Sequence, residues 1–186
     1  MKTKDWYNRQ SKDIYVKKAK NEGFVSRSAF KLIEIEKRYK LIKDSNFLLE
    51  LGSAPGGWTK VILDIKKNSN YKLVCVDLNN FQINLNEKSI FIKCDFKDKK
   101  LIKQINSFHK KKFDTILSDM SPNTSGHSNT DHLKIIQMAY DILELCPNLL
   151  NKSGNLIIKI FQGIDEKDLI NDLKKKFKYV NYFKPS

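Results

Sequence analysis

The stretch Leu48-Leu49-Glu50-Leu51-Gly52-Ser53-Ala54-Pro55-Gly56-Gly57-Trp58 decides how this chain is read. It predicts a buried strand, a glycine-rich turn and the start of a helix that runs on through Thr59, Lys60, Val61 and Ile62. Gly52, Gly56 and Gly57 let the main chain turn tightly and approach a ligand without Cβ clashes. A strand that passes through glycines into a helix is where open α/β sheets bind nucleotide-like cofactors. The spacing, G-x-x-x-G-G with a proline inside, matches neither G-x-G-x-x-G nor the phosphate-cradling G-x-x-x-x-G-K-[ST]. It suits a nucleoside cofactor without a pyrophosphate, and S-adenosyl-L-methionine is the one expected.

Two carboxylates follow where such a site needs them. The apolar run Leu73-Val74-Cys75-Val76 ends in Asp77, 25 positions after Gly52, a length that fits one turn, one helix and one strand. A carboxylate at the end of the second strand accepts hydrogen bonds from ribose hydroxyls. A third run, Ser89 to Cys94, ends in Asp95-Phe96, expected to bind the adenine amino group beside an aromatic wall. Strand-terminal aspartates also commonly cap the next helix, so the order of glycine turn, Asp77 and Asp95 carries the signal rather than any one member.

Strand and helix patterns alternate along the rest of the chain. Strands are expected near 46–51, 72–77, 89–94, 113–118 and 154–161, with helices near 58–67, 98–108, 131–150 and 165–177. This alternation predicts an α/β fold, a mostly parallel sheet with helices on both faces. The 186 residues are read as one domain, with residues 1–40 forming a helical arm and 46–186 the sheet. The arm is expected to be helical from Asp5 to Asn21 and to stop at Gly23, with Ser26 capping a second helix.

The formal net charge is +14, which points to a polyanionic partner, nucleic acid first. The chain is also rich in lysine and asparagine, a bias expected of an A/T-rich genome. The arm stands apart from that background because Arg9, Lys12, Lys17 and Lys18 alternate with Trp6, Tyr7 and Tyr15. Cations between aromatic faces suit phosphate contact and base stacking. No apolar run approaches the roughly 20 residues needed to span a bilayer. Cys75, Cys94 and Cys146 stand singly, as small core residues in a reducing compartment. His109, His127 and His132 have no metal-ligand spacing, and no metal is expected.

A fourth strand, Phe113 to Ser118, ends in Asp119 and is followed by a polar loop through Gly126. In the fifth, Lys159 interrupts Leu156-Ile157-Ile158 and Ile160-Phe161. A lysine in such a run is costly to bury unless it snorkels out at the strand end. A role is expected for it, since its neighbour in space should be Asp119.

These segments resemble the FtsJ (RrmJ) family of S-adenosylmethionine-dependent RNA ribose 2′-O-methyltransferases. The matching residues are Ser26-Arg27-Ser28-Ala29-Phe30-Lys31-Leu32, Leu51 to Trp58, Leu117-Ser118-Asp119-Met120-Ser121-Pro122-Asn123 and Ile158-Lys159-Ile160-Phe161-Gln162-Gly163. The resemblance implies a Rossmann-like class I methyltransferase fold. It places the first three members of a Lys-Asp-Lys-Glu tetrad on Lys31, Asp119 and Lys159. It also puts cofactor contacts on Gly56, Trp58, Asp77, Asp95 and Asp119, to which the reading of the residues adds Gly52, Gly57 and Phe96, and RNA contacts are expected at Arg9, Lys12, Lys17, Lys18 and Arg27. The family's glutamate lies on a final strand that has no counterpart before Ser186, so one internal place in the sheet is expected to be unfilled.

A free lysine titrates near 10.4, so proton handling by Lys159 asks for burial and a second cation such as Lys31 to favour its neutral form. On its own, a lysine on an amphipathic helix such as Lys31 ordinarily faces solvent. The implied partner is ribosomal RNA or the large ribosomal subunit, with uridine as the nucleotide, acted on by a cytoplasmic monomer or one in an organellar matrix. A tRNA-directed enzyme is the alternative within the class. A non-catalytic RNA-binding protein that keeps the cofactor fold, or a dinucleotide-dependent oxidoreductase, is the alternative outside it.

Overall fold

Five short apolar runs become five parallel strands in the computed structural model, which describes residues 14–122, 125–163 and 165–184. They are β1 (Phe47–Leu51), β2 (Lys72–Asp77), β3 (Ser89–Lys93), β4 (Phe113–Ser118) and β5 (Leu150–Ile158), in the order β3-β2-β1-β4-β5. The described helices are α1 (Ile14–Asn21), α2 (Ser28–Tyr39), α3 (Gly57–Lys66), α4 (Lys100–Phe108), α5 (Ser128–Leu149) and α6 (Glu166–Lys176).

The central strands read as nearly unbroken hydrophobic runs because both faces of the sheet are covered. Leu48, Leu73, Cys75 and Leu117 point to one face and pack with Ala29 and Leu32 of α2 and Trp58, Val61 and Ile62 of α3. Leu49, Leu51, Val74, Val76 and Ile116 point to the other and meet Leu101 and Ile105 of α4 and Ile142, Leu143 and Cys146 of α5. The period-two alternation of a strand thus divides one core between two helical layers.

Helix boundaries fall within three residues of expectation. Gly23 sits at φ 76° just beyond α1, and Phe24 N–H donates to the Ala19 carbonyl (2.8 Å), so the glycine does end that helix. Most of the expected arm, Arg9 and Lys12 included, lies outside the described residues. Ser26 does not take the cap position expected of it. The helix begins at Ser28, whose N–H donates to Ser26 Oγ at 3.1 Å.

The fifth strand differs most. It begins at Leu150, not 154, and ends at Ile158, leaving Lys159 just beyond the ladder. Phe113 pairs with Leu150 and Thr115 with Asn155, so residues 151–154 form an irregularity opposite Asp114. Ser153-Gly154 is therefore a kink inside the strand, stitched by Asn151 Nδ2 donating to Asp114 Oδ1 (2.8 Å). The expected internal vacancy in the sheet is not confirmed. Among the described residues nothing pairs beyond β5, which is an edge strand.

One buried group sets the strand tip apart. Glu50 is 1% exposed, beneath the glycine turn, where Thr59 Oγ1 donates to its Oε2 at 2.6 Å. Burial, opposed by that hydrogen bond and reinforced by the charge of Asp119, pushes its carboxyl up to about 8. Glu50 therefore keeps its proton in the folded protein where an unfolded chain would have lost it. Its contribution to stability is full below the ordinary carboxylate range and is lost as pH rises towards 8. Glu50→Gln should remove this dependence, so its melting temperature relative to the parent should rise steadily from pH 5 to pH 8. Parallel melting curves for the two proteins across that window would show Glu50 titrating as an ordinary carboxylate.

Candidate active site

Because every pairing is parallel, the carboxyl ends of the strands open on one edge of the sheet. Gly52, Asp77, Cys94, Asp119 and Lys159 are the first or last residues there. The glycine turn is tied to β2 by Gly52 N–H and Ser53 N–H, both donating to the Val76 carbonyl (2.8 and 3.2 Å). Gly52 has φ 75°, and a Cβ on it would lie 2.2 Å from Met120 Cγ. Gly56 has φ 118°, and a Cβ there would lie 2.1 Å from Ile83 Cγ1. Only glycine allows the turn to pass between the loop after β4 and the loop after β2.

Asp77 Oδ2 accepts the Ala54 N–H at 2.9 Å, and its Oδ1 accepts from Asn79 N–H and Nδ2 (2.7 and 3.0 Å). The carboxylate is thereby aimed at the glycine turn, half-buried, with exposed Leu78 beside it. Asp95 is exposed and accepts the Lys97 N–H at 2.9 Å, which fixes its turn. Phe96 departs from expectation. It is buried in the core cluster with Ile92 and Leu101 and does not stand as an open aromatic wall.

On the other side, α2 docks against the turn. A Cβ on Gly57 would meet Ser26 Cβ at 2.8 Å, and Trp58 Nε1 donates to the Ser28 carbonyl at 2.9 Å. Lys31, one helical turn after Ser28, is half-buried and forms no ion pair among the described residues. Arg27 is exposed at the start of this helix. Lys17 and Lys18 are exposed on α1, with Lys18 3.9 Å from Glu22 and 5.0 Å from the Phe30 ring centroid.

Asp119 and Lys159 are the two expected residues that the fold brings into contact. Ser118 stands opposite Ile158, and Lys159 N–H donates to the Ser118 carbonyl at 2.9 Å. Lys159 Nζ then donates to the Asp119 carbonyl at 2.6 Å and lies 2.9 Å from Asp119 Oδ1. Both side chains are about four-fifths buried, at 21% and 17% exposed. A cation and a carboxylate are thus held at the cleft with limited access for water, an arrangement that can orient a polar nucleophile.

Three residues near the cleft had gone unassigned. Glu50 carried a signal, an acid inside the apolar run Leu48-Leu49-Glu50-Leu51. Asp131 and His132 are buried at the start of α5; His132 carried no signal, because its partner Asp165 is 33 residues away, and Asp131 is held by Ser125 and Gly126 just before the helix. Ser125 donates to Asp131 Oδ1 through both N–H (2.7 Å) and Oγ (2.8 Å), which holds the Asp131 carboxyl below the usual carboxylate range. Among the described residues no group of His, Cys, Asp and Glu could hold a metal ion, and no helix is long and apolar enough to cross a membrane.

The chain is similar to known proteins. The chain is 38% identical over 187 residues to ribosomal RNA large subunit methyltransferase E of Ehrlichia chaffeensis, covering 100% of this chain and 86% of that one. It is 39% identical over 186 residues to the protein of the same name from Rickettsia bellii, covering 98% and 81%. The crystal structure of a ribosomal RNA methyltransferase from Plasmodium falciparum superposes with a TM-score of 0.80 at 27% identity, covering 87% of this chain and 91% of that one. The model of the FtsJ-like methyltransferase family matches residues 24–186, and the chain belongs to that family of S-adenosylmethionine-dependent enzymes.

Proposed function

We propose that the chain methylates the ribose 2′-hydroxyl of a uridine in large-subunit ribosomal RNA. The observation that carries this reading is the contact of Lys159 Nζ with Asp119 at the strand tips. The names of the relatives support ribosomal RNA as the acceptor, and the charge of +14 suits any long RNA. The bacterial relatives and the unpaired cysteines support a cytoplasmic enzyme.

The residues present fit the cofactor. The cleft offers carboxylates rather than a cationic phosphate cradle: Asp77 for ribose hydroxyls, Asp95 for an adenine amino group and Asp119 for a positively charged sulfonium. Gly52, Gly56 and Gly57 leave main chain open to approach by the cofactor, while Trp58 is buried behind the turn, packed with Ala29 and Leu32, and supports it from the core side. When bound, S-adenosylmethionine supplies an electrophilic methyl carbon and leaves as a neutral thioether.

The chain's own residues then do three things. Asp119 fixes the position of Lys159 through two contacts. Lys159 has to enter the step as the neutral amine, its own proton already lost to solvent, and it takes the proton of the attacking hydroxyl as the oxygen–carbon bond forms and the carbon–sulfur bond breaks. Lys31, on the helix whose Ser28 carbonyl accepts from Trp58, is assigned the role of a second cation. Alignment of oxygen, methyl carbon and sulfur is worth up to about 7–11 kcal/mol and should provide much of the acceleration. Lys17, Lys18 and Arg27, with Arg9 and Lys12 outside the described residues, hold the RNA backbone.

Lys159→Ala should lower single-turnover methyl transfer by about 10²–10⁴-fold and leave cofactor and RNA affinity within about twofold. Lys159→Arg should not restore the rate, because arginine cannot shed its proton at working pH. Robust transfer by Lys159→Ala would remove this residue from the mechanism. Replacing Lys17, Lys18 and Arg27 with alanine should weaken RNA binding and reduce the slope of log affinity against log salt by about 2. Cofactor affinity, read by calorimetry, should stay unchanged, and an unaltered salt slope would move the RNA surface elsewhere.

A further inference from the structure

Asp119 and Lys159 each stand at the base of a loop, and among the described residues neither loop is held at its far end by the sheet. Both far ends reach the start of α5. The loop after β4 is held by Asp131, whose Oδ1 accepts Ser125 N–H and Oγ and whose Oδ2 lies 3.3 Å from the donating Gly126 N–H. The loop after β5 is held by the next residue, His132. Its Nε2 accepts the Asp165 N–H at 3.2 Å, and Asp165 Oδ2 lies 3.7 Å away.

The His132 ring is also a packing surface. A Cβ on Gly163 would lie 2.4 to 2.5 Å from ring atoms Cε1, Nδ1 and Nε2, so the Gly163 main chain rests directly on the imidazole. Because Nε2 accepts a hydrogen bond, the neutral ring carries its proton on Nδ1. That nitrogen is buried without a partner among the described residues, a cost tolerated only if the ring is needed where it is. Asp131 and His132 are 7% and 8% exposed, so neither meets solvent freely.

α5 is itself fixed to the sheet. Ile136 and Ala139, on the turns after His132, pack with Leu169 of α6 and with Ile158 and Ile160, the two neighbours of Lys159. One helix start therefore references both loops to the strand tips from which they spring.

We propose that Asp131 and His132 are positioning residues for methyl transfer, a paired clamp that keeps Asp119 and Lys159 in contact by anchoring the far ends of their loops. The proposal rests on the reading that Asp119 and Lys159 carry the chemistry. Neither clamp residue touches the reacting groups, so loss of the clamp should misplace the pair without emptying the cleft.

The test combines amide hydrogen exchange, followed by NMR, with single-turnover transfer to large-subunit ribosomal RNA. His132→Phe keeps a ring beneath Gly163 but removes the acceptor, His132→Gln keeps an acceptor, and Asp131→Asn weakens the grip on Ser125. His132→Phe should speed exchange at the Asp165 amide at least tenfold, and Asp131→Asn should do the same at Ser125. Each should slow transfer about tenfold at saturating cofactor and RNA with KM changed less than twofold, and His132→Gln should recover most of the loss. Unaltered exchange at both amides would overturn the clamp, as would faster exchange with an unchanged rate. A general fall in melting temperature and cofactor affinity, with glutamine no better than phenylalanine, would show a purely structural role and also overturn it. If the parent protein transfers no methyl group, the proposed function fails, and exchange alone decides whether the loops are anchored here.

Discussion

Because β4 and β5 run parallel with Ser118 opposite Ile158, Asp119 and Lys159 leave the sheet side by side and meet at 2.9 Å. Slipping β5 by one residue would turn Lys159 to the opposite face and place an isoleucine beside Asp119. The irregularity at residues 151–154 occurs at the far end of the strand, where the extra residues are absorbed before the pairing regains its register. Four successive pairs, Thr115 with Asn155 through Ser118 with Ile158, then follow without a break, and the last leaves Lys159 beside Asp119.

The glycine turn depends on the same edge. Met120, the residue after Asp119, fills the space that a side chain on Gly52 would need, so the cofactor turn and the Asp119 loop form one packed unit. Beneath them Glu50 remains neutral, held by Thr59. A second ionised carboxylate at that depth would compete with Asp119 for a nearby cation.

Much of this was legible in the sequence because the informative features are local. An apolar run, a glycine turn and an acidic strand end each announce themselves over a few residues, and Lys159 stands out against the isoleucines around it. What escaped depends on contacts distant in the chain. Ser153-Gly154 reads as a turn, yet pairing with β4 draws it into the strand. Phe96 follows an aspartate at a strand end as an adenine wall would, but the core claims it. His132 looks like an ordinary residue of a helix start until Gly163 and Asp165 are seen around it. The docking of α2 is visible only through Trp58 and Ser28.

The position of the transferred methyl group tests the central claim most directly. Large-subunit ribosomal RNA would be incubated with the chain and labelled S-adenosylmethionine, hydrolysed in alkali and its products separated. A 2′-O-methyl group blocks cleavage at its own linkage, so this account predicts that the label is recovered in alkali-resistant dinucleotides with uridine on the 5′ side. Label recovered in mononucleotides carrying a methylated base would contradict it.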